Sequence, residues 1–120
     1  MAVDVFAGIP VTDYERALAW YRTFLGAEPS FVPNDVEAVW GVAEHGWLVI
    51  EVRPGHAGHA KHTVFVDDLD ARVRSAADRG IEPAGQESYE NGVRKVIFRD
   101  PDGNEIGLGG APTDADAGED

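Results

Sequence analysis

The sequence predicts an α+β fold built from two βαβββ modules, forming a curved, cup-shaped mixed sheet with helices on its outer face. Three observations predict it. Strand-like alternation precedes each of two helix-like stretches. Both strand-to-helix junctions carry the same kind of signal, Val11-Thr12-Asp13 in the first and Val66-Asp67-Asp68 in the second. The order strand, helix, strand, strand, strand then occurs twice at a period of about 55 residues, and two copies are a duplication rather than a solenoid.

The first strand runs over 3–11, where Val3, Val5, Ala7, Ile9 and Val11 share one parity. Thr12-Asp13-Tyr14-Glu15 reads as a capping box, with Thr12 as N-cap and Glu15 three residues on. The helix that follows repeats apolar residues at three- and four-residue spacing (Tyr14, Ala17, Leu18, Tyr21, Phe24, Leu25), and Gly26 stops it. Strands are expected at 27–32, 36–43 and 47–53, with turn residues at Pro33-Asn34-Asp35 and Glu44-His45-Gly46. Residues 54–60, rich in Gly and His, read as a flexible polar linker.

The second module opens with a strand at 61–66. Asp67-Asp68-Leu69-Asp70 starts its helix, which ends near Arg79-Gly80. Strands follow at 81–86 and 93–99. Asp100-Pro101-Asp102-Gly103 is a turn with Pro early and Gly last, and 104–108 is the final strand. One domain therefore spans 1–110, in modules of about 1–55 and 61–110, and 111–120 form an acidic tail expected to be disordered.

Composition excludes several classes of function. The 120 residues include no cysteine, so disulfides, thiolate metal sites and a cysteine nucleophile are ruled out. The formal charge is −12, and Asp114, Asp116, Glu119 and Asp120 of the tail supply only part of it. Nucleic acid and anionic membrane surfaces need a basic footprint, and this body is acidic. No apolar run reaches bilayer-spanning length. The first residues run into a strand without a basic start, so no signal peptide is expected and the protein is expected to be cytoplasmic.

The segments 9–13 and 17–26 resemble the opening of the vicinal-oxygen-chelate superfamily, the glyoxalase and bleomycin-resistance proteins: a strand ending in V-x-D, then a helix ending in an aromatic, Tyr and L-G. Val66-Asp67-Asp68-Leu69-Asp70 resembles the start of that family's second helix. Phe98-Arg99-Asp100-Pro101-Asp102-Gly103-Asn104 resembles its D-P-D-G-N turn before the last strand. The resemblance implies a pair of βαβββ modules and a homodimer. In the family's metalloenzymes it implies one divalent ion, held by His, Glu or Gln from the first and last strands of each module.

Carried onto this chain, those four positions fall on Phe6, Glu51, Lys61 and Gly107. Phenylalanine offers no donor, a protonated lysine repels a cation and glycine has no side chain. One competent ligand in four is not a metal site, so no metal or other cofactor is expected. His62 neighbours the Lys61 position but has the parity of Val64 and Val66, on the helix-packed side; only a bulge or register slip would bring it inward.

The remaining candidates line the expected cup. Glu51 shares parity with Trp47, Val49 and Arg53. It is expected to pair with Lys61 or Arg53, or else to accept a ligand hydrogen bond or serve as a catalytic base. Trp40 and Trp47, on neighbouring strands, are read either as rings stacking on a flat or cationic ligand or as core and dimer contacts. Trp20 is read as structural. His56, His59 and His62 recur every three residues, but Gly55 and Gly58 break any helix that would gather them.

Phe6, Trp40, Trp47, Glu51, Arg53 and Lys61 are thus the expected ligand-binding residues. Two functions follow from the resemblance. The first is a metal-free protein of the bleomycin-resistance type, binding a cationic or aromatic small molecule in a cup or a groove between subunits. The acidic body, the lost ligand positions, the short chain and the two tryptophans favour it, and 31–35 through 47–50 resemble that subgroup. The second is a glyoxalase-, isomerase- or dioxygenase-like enzyme using a divalent metal as Lewis acid, or Glu51 as base.

Overall fold

A computed structural model describes residues 3–112, so the expectation for the tail at 113–120 lies outside the described residues. The elements are β1 (Val5–Val11), α1 (Tyr14–Leu25), β2 (Phe31–Asn34), β3 (Glu37–Ala43), β4 (Gly46–Val52), a 3₁₀ turn (Pro54–His56), β5 (Lys61–Val66), α2 (Leu69–Asp78), β6 (Gly85–Ser88), β7 (Arg94–Arg99) and β8 (Glu105–Gly110). Two mixed sheets result, in the orders β1-β4-β3-β2 and β5-β8-β7-β6. In each, the first strand of a module lies parallel to its last, and the hairpins are antiparallel. The duplicated βαβββ module is therefore present in both halves.

The helices cover one side of the sheets. Ile9 and Val11 of β1, Ala38 and Trp40 of β3, and Leu48 and Ile50 of β4 turn toward α1, and Val96, Phe98, Ile106 and Leu108 do the same in the second sheet. All join one contiguous core with Leu18, Tyr21, Phe24, Leu69 and Ala76 of the helices. Full burial of each large apolar side chain contributes about 1.5–3 kcal/mol. The α1 helix serves both modules: the Tyr21 ring lies against Trp40 of the first sheet, and the Phe24 ring packs at 4.9 Å on Phe98 of the second.

A polar joint closes the core. Asn104, fully buried, donates through Nδ2 to the Pro10 carbonyl at 2.8 Å and to Asp100 Oδ2 at 2.9 Å. Its Oδ1 accepts from the amides of Gly58 at 3.0 Å and Ala60 at 2.9 Å. The Tyr21 hydroxyl donates to Asp100 Oδ2 at 2.8 Å. Burial first, and the Asp100 carboxylate second, push that hydroxyl far above the ordinary phenol range. The D-P-D-G-N turn is therefore a fastener joining the second module to β1 and α1 of the first.

Four local expectations are corrected. Asp13, not Thr12, caps α1: its backbone is extended and its carboxylate accepts from the Arg16 amide at 3.0 Å. The Thr12 hydroxyl is drawn away by Asp102 Oδ1 at 2.7 Å. Strand β2 begins at Phe31 rather than 27, because 27–30 is held by bonds off the ladder, from Trp40 Nε1 to the Ala27 carbonyl and from the Gly41 amide to Ser30 Oγ. Strand β6 begins at Gly85 rather than 81, because the Ile81 amide wraps back onto the Ala76 carbonyl of α2 and Pro83 has no amide to give. The linker at 54–60 is not loose, since Asn104 grips two of its amides.

Candidate functional site

Alternation along each strand sends every second side chain to the side away from the helices, here called the open face. On the first sheet the register pairs Phe6 with Trp47, Gly8 with Val49 and Pro10 with Glu51 on β1 and β4, and Gly41 with Trp47 and Glu37 with Glu51 on β3 and β4. Phe6 stacks on Trp47 with ring centroids 5.7 Å apart and planes 11° apart. Phe31 meets Trp47 edge-on at 6.0 Å. The indole lies across Gly41, where an added Cβ would meet ring carbons at 3.1 and 3.3 Å. Its Nε1 donates to Asp4 Oδ1 at 3.3 Å, and His45 Nδ1 reaches the same oxygen at 3.2 Å. Phe6 and Phe31 are about half exposed, at 55% and 46%.

Glu51 stands at the far end of that face. Of the two partners expected for it, the structure supplies Arg53, with Nη1 3.8 Å from Glu51 Oε1. Lys61 instead faces Glu105 in the second sheet, at 4.0 Å. Trp40 does not line the open face. It has the parity of Ala38, is 2% exposed and sits under α1, where its indole N–H is satisfied by Ala27. Trp20 stacks on Phe24 at 4.9 Å, a structural contact. His62 keeps the helix-facing parity, opposite Ile106, and its Nε2 lies 2.9 Å from the Gly8 carbonyl, which can only accept. Among the described residues no three His, Cys, Asp or Glu side chains gather as a metal site.

The open face of the second sheet was only partly foreseen. Lys61 and Arg99 flank Glu105 across neighbouring strands in register. Arg99 Nη2 is 3.3 Å from Glu105 Oε1, and Lys95 Nζ is 3.5 Å from Glu105 Oε2. Lys95 and Glu105 side chains are each 12% exposed. Lys95 reaches Glu105 by lying over Gly107, where an added Cβ would meet Lys95 Cε at 2.7 Å. Sequence reading missed Lys95, Arg99 and Glu105, although strand parity carried the signal: Lys95 and Arg99 alternate with the core residues Val96 and Phe98, and Glu105 stands two residues from Gly107.

The four positions at which the resemblance implies a metal do not fit one. The Phe6 ring is stacked on Trp47, the Lys61 ammonium sits beside Glu105, and a lysine stem fills the space over Gly107. Glu51 alone could ligate, and it is paired with Arg53.

The sequence model of the Glyoxalase/Bleomycin resistance protein/Dioxygenase superfamily matches residues 3–108. Among solved structures, a glyoxalase/bleomycin resistance protein from Catenulispora acidiphila DSM 44928 is similar at 54% identity and a TM-score of 0.88, over 92% of this chain and 100% of that one. TnmS3, an antibiotic-binding protein from Streptomyces sp. CB03234, is similar at 25% identity and a TM-score of 0.70, over 94% and 98%. A bleomycin-binding protein complexed with bleomycin shares the fold, at 20% identity and a TM-score of 0.74, over 91% and 98%. Among curated proteins, none matches the chain.

Proposed function

Because the chain belongs to the Glyoxalase/Bleomycin resistance protein/Dioxygenase superfamily, we propose that it is a metal-free small-molecule-binding protein whose ligand lies against the open faces of its sheets. The observation that carries this reading is the aromatic group in which half-exposed Phe6 and Phe31 pack on Trp47. Large rings left in water are unfavourable unless something covers them. A flat aromatic ligand would extend the existing stack, and Glu51 and Arg53 would supply polar contacts beyond it. In this reading Glu51 accepts a hydrogen bond rather than a substrate proton, and Trp40 contributes only stability.

A homodimer belongs to the same proposal, and so does a cytoplasmic site of action. Val5, Phe6, Phe31, Val32 and Phe65 are all exposed. The Cα radius of gyration is 15.1 Å, against about 13 Å for a compact chain of this size. A second copy would cover apolar surface and turn the two open faces into a groove. The antibiotic-binding relative supports a small-molecule ligand, and the lost metal positions argue against the metalloenzyme alternative.

The test is a fluorescence titration of the chelator-treated protein with naphthalene derivatives, alongside melting curves with nickel, zinc, manganese, iron(II), cobalt and magnesium. Saturable quenching that disappears in Trp47→Phe, with no metal-dependent rise in melting temperature, is expected. A saturable rise with any of the metals would put the enzyme reading first.

A further inference from the structure

The basic cluster on the second sheet's open face has a composition that packing alone does not require. Three cations, Lys61, Lys95 and Arg99, surround Glu105; among the described residues the other carboxylate paired with them is Glu87, half exposed and 4.0 Å from Lys95. In a chain of net charge −12, a local surplus of positive charge runs against the average. A ladder of cross-strand ion pairs needs one partner per charge, and here Glu105 is shared by three. Its Oε2 is buried and holds no hydrogen bond among the described residues, so the cations hold it by charge.

The three cations have different roles by position. Lys95 is fixed and nearly buried, its stem occupying the space that Gly107 leaves. Lys61 is 69% exposed and stands 4.0 Å from Glu105, too far for a hydrogen bond, so Glu105 takes none of its three N–H donors. Arg99, half exposed, bonds the Gly103 carbonyl and Glu105 at 3.3 Å each, and its fork of five donors retains more. The Thr63 hydroxyl lies on the same face, 3.2 Å from the place of a Gly107 Cβ. Exposed donors beside a nearly buried ammonium suit an oxyanion, because charge-assisted hydrogen bonds exceed neutral ones and partial burial weakens screening.

We propose that Lys61, Lys95 and Arg99 on the open face of the second sheet form an oxyanion-binding subsite, taking a carboxylate or phosphate monoester group of the ligand. The subsite deepens the small-molecule reading and rests on it, and it revises the ligand's charge: the group bound here is anionic, despite the acidic body.

The experiment compares four matched probes at constant ionic strength: 1-naphthoate, 1-naphthyl phosphate, 1-naphthalenemethanol and 1-naphthylmethylammonium. Affinities are measured by calorimetry on the wild type, Lys61→Met and Lys95→Met. Lys61 is exposed, so its variant keeps a folded readout should Lys95→Met fail to fold. At least one oxyanion should bind about tenfold more tightly than the alcohol, the scale of one charge-assisted contact, and that preference should fall to about twofold or less in Lys61→Met. Equal or tighter binding of the alcohol or the ammonium overturns the subsite and leaves the binding reading intact. An oxyanion preference that survives in Lys61→Met and in folded Lys95→Met also overturns it. Failure of all four probes to bind overturns both readings.

Discussion

The two modules share a backbone plan and differ on the surface that plan leaves free. Both place a parallel pair at the sheet edge, a helix on one side and an open face on the other. The first open face is aromatic, with Phe6 and Phe31 each set against Trp47. The second is ionic, with Lys61, Lys95 and Arg99 around Glu105. The joint between modules is equally one-sided. The β7–β8 turn carries Asp100 and Asn104 into the core, whereas the matching β3–β4 turn carries Glu44 and His45 into solvent. Tyr21 of α1 reaches Asp100, and at the equivalent place in α2 stands Ala76, buried without a polar atom to offer. Duplication preserved what the core demands; each open face and each turn was free to take separate work.

The sharpest way to break this comparison is to remove the fastener. Asn104→Ala would orphan the amides of Gly58 and Ala60 and the Pro10 carbonyl at once. Each buried unsatisfied polar group costs about 1–3 kcal/mol, so urea denaturation should show a loss of roughly 3–5 kcal/mol, at the severe end for a single substitution. The control is Glu44→Ala in the matching turn, 90% exposed, where a change within about 0.5 kcal/mol is expected. Equal losses in the two variants would mean that the turns are not different in kind.

Tyr21 gives a smaller effect with a pH signature. Its folded-state pKa is raised, first by burial and then by Asp100, so the folded state holds the proton after the unfolded chain has released it. The contribution is fully present below the unfolded tyrosine pKa of about 10 and is lost as pH rises above it. Wild-type stability should fall by about 1.4 kcal/mol per pH unit there from this group alone. Tyr21→Phe should lose about 1 kcal/mol near pH 8, one hydrogen bond, and show a shallower decline between pH 10 and 11. Parallel declines would mean that the Tyr21–Asp100 contact does not link protonation to folding.

What the sequence made legible follows the same division. The core side was readable because burial imposes a period: Ile9 and Val11, Leu48 and Ile50 fall where alternation puts them. The duplicated order was readable because both junctions repeat V-x-D and the module is short. Side-chain competition was not readable. Thr12 looks like a cap until Asp102, distant in sequence, takes its hydroxyl. Trp40 and Trp47 look alike in the chain, and only register sends one under a helix and the other into the open. Lys95 and Arg99 have the right parity but no motif, and their meaning depends on Glu105 arriving from the neighbouring strand.

The mildest test bears most directly on the open faces. Gly8 on the edge strand β1 and Gly107 on the internal strand β8 have no left-handed backbone to forbid a side chain. At Gly8 an added Cβ meets nothing closer than Glu51 Oε1 at 3.7 Å, an ordinary contact. Gly8→Ala should therefore be neutral, or stabilise by about 0.5 kcal/mol through a less flexible unfolded chain. At Gly107 the same atom would stand 2.7 Å from Lys95 Cε and 3.2 Å from Thr63 Oγ1. The end of a lysine can swing aside, so Gly107→Ala should cost about 1 kcal/mol, the low end for an overpacked site, but the ammonium would leave its place beside Glu105. Affinity for 1-naphthoate or 1-naphthyl phosphate should then drop several-fold in Gly107→Ala and stay unchanged in Gly8→Ala, with both variants folded at the assay temperature. Were the two alanines indistinguishable in anion affinity, the position of Lys95 over Gly107 would be packing alone, and the contrast between the faces would lose its chemical meaning.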